Sequence, residues 1–284
     1  MSKKDKVIIY QFDEFVPKQN DNFMIGAFES FHIGHQTIYN EMLKKKSNGR
    51  KVLITFNNDD LPISKSQAFT DRTAKYWSLA QLEFDCIVEL NFSKIGLMQP
   101  EQFLQKLTNN LPVNIFVGED FKFGKGASAT SHDIAKFLPL ANVYIIQLLK
   151  QTGIKISTSL LKEKLLFGEI EDLNKYLVNN YTISFKISNI DPNTVMRDNL
   201  KYTQIHPGIY CGIFYDQKYA FYGLLHINTK QKWEYILVDN EEYEPSKNQF
   251  LYFEFDSEIR LIKSHLDDEI KSIDIEKTRE KFTF

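Results

Sequence analysis

The chain has 284 residues, 43% of them hydrophobic, and a formal net charge of −2. That length suits one large or two ordinary domains with packed cores, and the near-neutral charge argues against a nucleic-acid partner. No apolar run approaches the about 20 residues that span a bilayer, and the apolar part of "MSKKDKVIIYQF" is too short for a secretory signal. The two cysteines, Cys86 and Cys211, match no disulfide or zinc spacing, so a soluble, cytoplasmic protein without a membrane partner is expected.

In chain order, Lys6 to Phe12 and Asn22 to Phe28 read as strands, His32 to Lys46 as a helix and Lys51 to Phe56 as a strand. Thr70 to Phe84 has helical spacing, with Thr70 placed to cap it. Asp85 to Phe92 is a strand, and the helix after it has Pro100 in its first turn. Val113 to Phe121 is a strand ending at Gly118, Ser131 to Leu138 a short helix and Asn142 to Leu149 a strand. Two helices follow, Ser157 to Phe167 and Glu169 to Leu177, broken at Gly168. Strands alternating with helices predict an α/β fold with a parallel sheet. Beyond Val178 the pattern changes to short aromatic and β-branched runs, among them "YTISFKISNI", "GIYCGIFY", "KYAFYGLLHIN", "KWEYILVD" and "NQFLYFEFDSEIRLI". These predict antiparallel strands of a small β-barrel or sandwich, closed by a charged helix, "DDEIKSIDIEKTREKF". The boundary is placed near residue 180, giving domains 1–180 and 181–284.

Three stretches carry chemistry. In "GAFESFHIGHQ", His32 and His35 lie three apart where a strand turns into a helix. The first helical turn has unpaired N–H groups and a partial positive charge, so anions bind there. The two imidazoles can donate to a phosphate, and Gly34 lets a nucleotide lie close to the backbone. Read without their context, the two are ordinary surface histidines. Ser157, Thr158 and Ser159 open a helix with Lys162 one turn on, either a second phosphate cradle or a plain hydroxyl cap. "VGEDFKFGKGA", directly after a strand, is either a surface loop or a platform on which Phe121 and Phe123 stack against something flat.

Taken in order, "GAFESFHIGH", "TFNNDDLP", "VGEDFKFGKG" and "ISTSLLK" resemble the adenylyltransferase half of the prokaryotic bifunctional riboflavin kinase/FMN adenylyltransferases, the FAD synthetases. The resemblance covers about residues 20 to 180. An HxGH motif alone would suit pantetheine-phosphate adenylyltransferase, cytidylyltransferases or class I aminoacyl-tRNA synthetases equally; the "VGxDFxFG" loop narrows it to flavin. It implies a Rossmann-like HxGH nucleotidyltransferase domain that moves AMP from ATP to FMN, with Mg²⁺ as cofactor. Gly26, Phe28, His32, Gly34 and His35 would hold the ATP phosphates, as would Ser157, Thr158 and Ser159. Lys162 stands where the family has Arg, keeping the charge but losing the fork. His32, His35 and Lys162 would do the catalytic work, and Phe56, Asp120, Phe121 and Phe123 would face FMN. Glu29-Ser30 replaces the usual Asp-Gly, and "TFNNDDLP" is looser than the usual "TFDPHP"; these departures are expected to lower rate or affinity more than abolish chemistry.

The barrel resembles the family's riboflavin kinase less closely. "HPGIYCGIF" is similar to its "PGVYAV" strand, and Glu234 in "WEYILVD" stands where its catalytic Glu would be. Yet the "GxPTAN" motif expected between Tyr181 and His206 is absent; that stretch has no glycine, and Asp191, Asn193 and Thr194 are the only residues of the right kind. A kinase-dead barrel is expected, with Glu234 a remnant. The alternatives are a fully bifunctional enzyme and a non-catalytic flavin- or nucleotide-binding protein. The sequence identifies no Mg²⁺ ligands and no oligomeric state.

Overall fold

Apolar strands, most buried on both faces, assemble a parallel sheet that positions the histidine turn and the "VGEDFKFGKG" loop. The computed structural model describes residues 7–45, 47–61, 67–147, 150–151, 154–187, 194–196, 201–216, 218–240, 243 and 249–282. Several positions named above lie outside these described residues: Lys6, Lys46, Pro62, Leu149, Asp191 and Asn193. The chain divides into one unit of residues 1–65 and 76–156 and another of 66–75 and 157–284.

The first unit runs β1 (Ile8–Gln11), β2 (Asn22–Ile25), α1 (Ile33–Lys44), β3 (Lys51–Phe56), the last turn of α2 (Arg72–Leu79), β4 (Cys86–Leu90), α3 (Phe92–Ile95), α4 (Pro100–Thr108) and β5 (Asn114–Gly118). A hairpin, β6 (Lys122–Phe123) with β7 (Ala129–Thr130), then leads to α5 (Ile134–Phe137), β8 (Asn142–Ile146) and the pair β9 (Lys150–Gln151) and β10 (Ile154–Lys155). The main sheet has the order β1-β4-β3-β2-β5-β8 with every neighbour parallel. From β2 the chain steps outward through β3 and β4, then returns to lay β5 on the other side of β2. That reversal is a topological switch point, where open α/β sheets bind ligands beyond the strand carboxyl ends.

Strands β2, β4 and β5 are buried along their whole length, as expected when helices cover both faces. Phe23, Ile25, Val52, Ile54, Val88, Ile115 and Val117 pack with Leu104 and Leu107 of α4 and Ile134 of α5. Each such side chain contributes about 1.5–3 kcal/mol through burial. The register of three strands is fixed at their first residues by side-chain amides. Asn114 Nδ2 donates to Asn22 Oδ1 at 3.0 Å and Asn142 Nδ2 to Asn114 Oδ1 at 3.1 Å.

The second unit holds α6 (Thr158–Phe167), α7 (Ile170–Asn174) and a closed antiparallel barrel. The barrel strands are β11 (Thr182–Ile187), β12 (Thr194–Met196), β13 (Gly208–Tyr215), β14 (Ala220–Ile227), β15 (Trp233–Leu237) and β16 (Phe250–Leu261), in the order β11-β12-β15-β14-β13-β16. Its interior is filled by Ile183, Phe185, Phe214, Phe221, Leu225, Trp233, Tyr235 and Phe253. Gly168 ends α6 with φ 74°, a left-handed conformation that glycine adopts without strain.

Three expectations are corrected. The helix expected from Thr70 starts at Arg72, and its cap is Asp71, whose Oδ1 accepts from the Ala74 N–H at 2.8 Å. Thr70 instead donates its hydroxyl to the Thr182 carbonyl at 2.7 Å. The closing helix is shorter than read: α8 (Ser272–Phe282) begins after a 3₁₀ turn at His265–Asp267. Its Asp274 is fully buried, and Arg260 of β16 grips both carboxylate oxygens at 2.8 and 2.9 Å.

Candidate functional site

The turn after β2 is built to present two imidazoles. His32 is the N-cap of α1, with φ −95° and ψ 169°, and its Nδ1 accepts from the His35 N–H at 3.3 Å. That nitrogen is therefore unprotonated, and the neutral ring carries its proton on Nε2. His35 is the opposite case. Its Nδ1 lies 3.0 Å from the Ser30 carbonyl, which can only accept, so Nδ1 is the donor. The two rings stack with centroids 3.7 Å apart and planes 16° from parallel.

The surrounding residues hold this pair. Phe28 has φ 41°, unusual for a non-glycine residue, and its ring is buried edge-on to His35 at 4.8 Å. That ring also lies on Gly26, where an added Cβ would fall 2.7 Å from it. Phe28 thus shapes the turn. Gly34 makes room for His32: a Cβ there would meet the His32 ring at 3.0 Å. Thr55 Oγ1 donates to the Ala27 carbonyl at 2.7 Å and Asn58 Nδ2 to the Glu29 carbonyl at 3.4 Å, tying the turn to the end of β3. His32 is only 4% exposed, so it is not the surface histidine it would be without its context. Capping α1 from inside the turn draws its ring under the loop.

Beside the turn lies a cavity of about 330 Å³. Its walls come from the carboxyl ends of the central strands: Ile25 and Gly26 after β2, Phe56 of β3, Leu90 of β4, and Phe121 and Phe123 after β5. Phe92, Met98 and Phe103 add to a lining that is largely apolar, with Lys122 as its charged member. Phe121 and Phe123 stack on each other at 5.3 Å and 11°, so each supports the other. The hairpin that carries them is pinned by a capping box between Thr130 and Asp133. The Thr130 amide and hydroxyl hold the Asp133 carboxyl below its usual range. Gly124, with φ 76°, turns the loop where a Cβ would strike Pro100 at 2.4 Å. Asp120 is exposed and is not part of the lining.

Of the residues singled out in sequence, Gly26, Phe28, His32, Gly34 and His35 come together in the turn, and Gly26 joins Phe56, Phe121 and Phe123 around the cavity. The wall formed by Leu90, Phe92 and Met98 was missed. Its signal was the same: "LNFSKIGLM" follows a strand of the central sheet and keeps large apolar side chains beyond it. Ser157, Thr158, Ser159 and Lys162 belong to the second unit. There Ser157 caps α6, its hydroxyl accepting from the Leu160 N–H at 3.4 Å. Thr158 and Ser159 follow in the first turn; Ser159 is exposed, and Lys162 is half-buried.

In the barrel, Glu234 alternates with Trp233 and Tyr235 and so faces outward. Its Oε1 accepts from Lys232 Nζ at 3.0 Å, and its Oε2 is 3.7 Å from Nδ1 of His226. His226 is buried and donates Nε2–H to Asp268 Oδ1 at 3.0 Å; its Nδ1 has no hydrogen-bond partner among the described residues. Burial alone would raise the Asp268 carboxyl, but the Thr229 hydroxyl and amide, with His226, hold it below its usual range. Among the described residues no three His, Cys, Asp or Glu side chains converge on a metal position, and no helix is long and apolar enough to cross a membrane.

A parallel sheet with a histidine pair and an apolar cavity at its switch point, followed in the chain by a closed barrel, defines a Rossmann-like α/β protein of the HxGH nucleotidyltransferase type. The chain belongs to the FAD synthetase family, whose model matches residues 16–160. It is 28% identical to the FAD synthetase of Listeria monocytogenes over 176 residues, 58% of this chain and 71% of that protein. It is 27% identical over 180 residues to the bifunctional riboflavin kinase/FMN adenylyltransferase of Buchnera aphidicola, covering 59% of this chain and 58% of that one. A crystal structure described as a macrolide-efflux protein from Streptococcus pneumoniae superposes with a TM-score of 0.76 over 97% of this chain and 98% of that one, at 14% identity, and shows the fold alone.

Proposed function

We propose that the protein makes FAD by transferring AMP from ATP to FMN. The observation that carries this reading is the juxtaposition, at the β2/β5 switch point, of an imidazole pair with a cavity whose walls are aromatic and flat. A fused flavin ring needs such walls, and its phosphate needs donors close by. An oxygen of the FMN phosphate attacks the α-phosphorus of ATP, a new P–O bond forms, and the bond to the β-phosphate oxygen breaks to release pyrophosphate. Protein groups act here by alignment and by stabilising charge on phosphoryl oxygens. His32 donates through Nε2–H as a neutral ring. His35, with Nδ1–H committed to Ser30, donates through Nε2 only as imidazolium.

The motif assigns Ser157, Thr158, Ser159 and Lys162 to phosphates of the same nucleotide, and Asp120 to the flavin side; their part rests on sequence. With no convergent ligand set among the described residues, Mg²⁺ would enter on the triphosphate, held chiefly by phosphate oxygens. When bound it would offset charge on the departing pyrophosphate. The substrates are small molecules, and a cytoplasmic setting follows from the cysteine usage argued above. The functional division proposed is adenylyltransferase over 1–180 and a kinase-like barrel over 181–284.

The test is incubation of the pure protein with ATP, Mg²⁺ and FMN, with products separated by chromatography. FAD and pyrophosphate in equal amounts are expected. Tight FMN binding without FAD, at high enzyme concentration and with Mg²⁺ or Mn²⁺, would replace this reading with a flavin-binding protein.

A further inference from the structure

One buried carboxylate has no part in the chemistry above. Glu89 lies on β4, 2% exposed, within an otherwise apolar strand. Burying a carboxylate costs several kcal/mol unless its oxygens are bonded, and an apolar residue would commonly pack at least as well. Here Glu89 Oε2 accepts from the Tyr76 hydroxyl at 2.6 Å and Oε1 from Gln11 Nε2 at 2.8 Å.

A carboxylate only accepts, and this sets a direction. Gln11 must turn its NH₂ to Glu89, so its Oε1 faces Asn91, whose Nδ2 donates to it at 3.0 Å. The Oδ1 of Asn91 then accepts from Asn57 Nδ2 at 3.2 Å, and the Oδ1 of Asn57 accepts from the Asp59 N–H at 2.9 Å. Flipping any one amide would set donor against donor or acceptor against acceptor at both its links, a heavy cost in a low dielectric.

The far end of this chain is the cavity wall. Asn57 follows Phe56, and Asn91 sits between Leu90 and Phe92; all three neighbours line the cavity. The Asn57 N–H also donates to the Leu90 carbonyl at 2.8 Å, and Asp60 Oδ2 accepts from the Ser93 amide and hydroxyl at 2.9 and 3.0 Å. Phe56 and Phe92 stand with ring centroids 6.1 Å apart.

We propose that Glu89 is a positioning residue for the flavin-side cavity, acting through Gln11, Asn91 and Asn57 to hold Phe56 and Phe92 at the spacing that admits the fused flavin ring. The proposal rests on the FMN reading of that cavity. It is tested by measuring FMN binding, through quenching of flavin fluorescence, together with KM for FMN and for ATP, in wild type, Gln11→Met, Glu89→Met and Glu89→Gln. Gln11→Met cuts the chain at a half-buried position and keeps the fold testable if Glu89→Met does not fold. Both Met variants should weaken FMN binding about fivefold to tenfold, the scale of one lost net hydrogen bond, with KM for ATP unchanged within about twofold. Glu89→Gln should bind FMN like wild type, because its carbonyl can still accept from Gln11 while its amide donates to Tyr76. Unchanged FMN binding in Gln11→Met, or a parallel rise in KM for ATP, would overturn the positioning role alone. A wild type that does not bind FMN would overturn the cavity's assignment and the proposal with it.

Discussion

His32 and His35 stack face to face, ring centroids 3.7 Å apart, and yet their protons are placed differently. The His35 amide fixes His32 as an Nε2–H ring, while the Ser30 carbonyl fixes the proton of His35 on Nδ1. With Nδ1–H held by the Ser30 carbonyl, His35 can offer a phosphate a donor at Nε2 only as imidazolium, whereas His32 offers its Nε2–H as a neutral ring.

Replacing either histidine should therefore hurt turnover. His32→Ala and His35→Ala are each expected to lower kcat by roughly 10²–10³-fold, the usual cost of one preorganised transition-state donor. Circular dichroism should show both folded, with His32→Ala the less stable because its ring is buried. Near-wild-type turnover in either variant would remove that histidine from phosphate handling.

Much of the sheet and the histidine turn was legible in sequence because their signals are local. Apolar runs at Asn22–Ile25 and Asn114–Gly118, with a histidine pair directly after the first, are enough to place a turn at a strand end. What was not legible depends on partners distant in sequence. β12 is three residues long and exists by pairing with β11 and β15. The cap of α2 is Asp71 because its carboxylate also accepts from the Ser184 amide and hydroxyl at 2.8 and 2.6 Å, while Thr70 is drawn to Thr182. Gly34 was read as space for a nucleotide, and a second demand on it was not legible: a Cβ there would meet the His32 ring. No spacing rule reports a ring that folds back over its own turn.

The Arg260–Asp274 pair predicts acid sensitivity. Burial by itself would raise the Asp274 carboxyl, but the Arg260 guanidinium and the Lys271 amide outweigh it and hold it below its usual range. A carboxyl depressed in the folded state contributes stability that is full above its unfolded pKa, about 3.9, and is lost as pH falls through the lower folded value. Tm should thus drop steeply below about pH 4 in wild type, and less steeply in an Arg260→Met, Asp274→Leu double variant. Arg260→Met alone leaves a buried charge unpaired and should cost about 3 kcal/mol at neutral pH by denaturant unfolding. An unchanged midpoint would mean that the pair contributes nothing.

Riboflavin plus ATP should yield little or no FMN. A kinase must fix the γ-phosphate and its metal, and residues 181–206 offer no glycine and no Pro-Thr-Ala-Asn run. Glu234 spends Oε1 on Lys232 and faces His226 across 3.7 Å, so a base is present without an evident donor site. Robust FMN formation that Glu234→Gln abolishes would show a working kinase and reverse this expectation.

The most direct test of the account follows the phosphorus atoms. With ATP labelled at the α-phosphate, incubation with FMN should place the label in FAD. With ATP labelled at the γ-phosphate, the label should appear in pyrophosphate and not in FAD. His32→Ala should slow both transfers equally. Absence of α-label from FAD in the wild type, with FMN saturating and Mg²⁺ present, would contradict the central claim that this site performs adenylyl transfer.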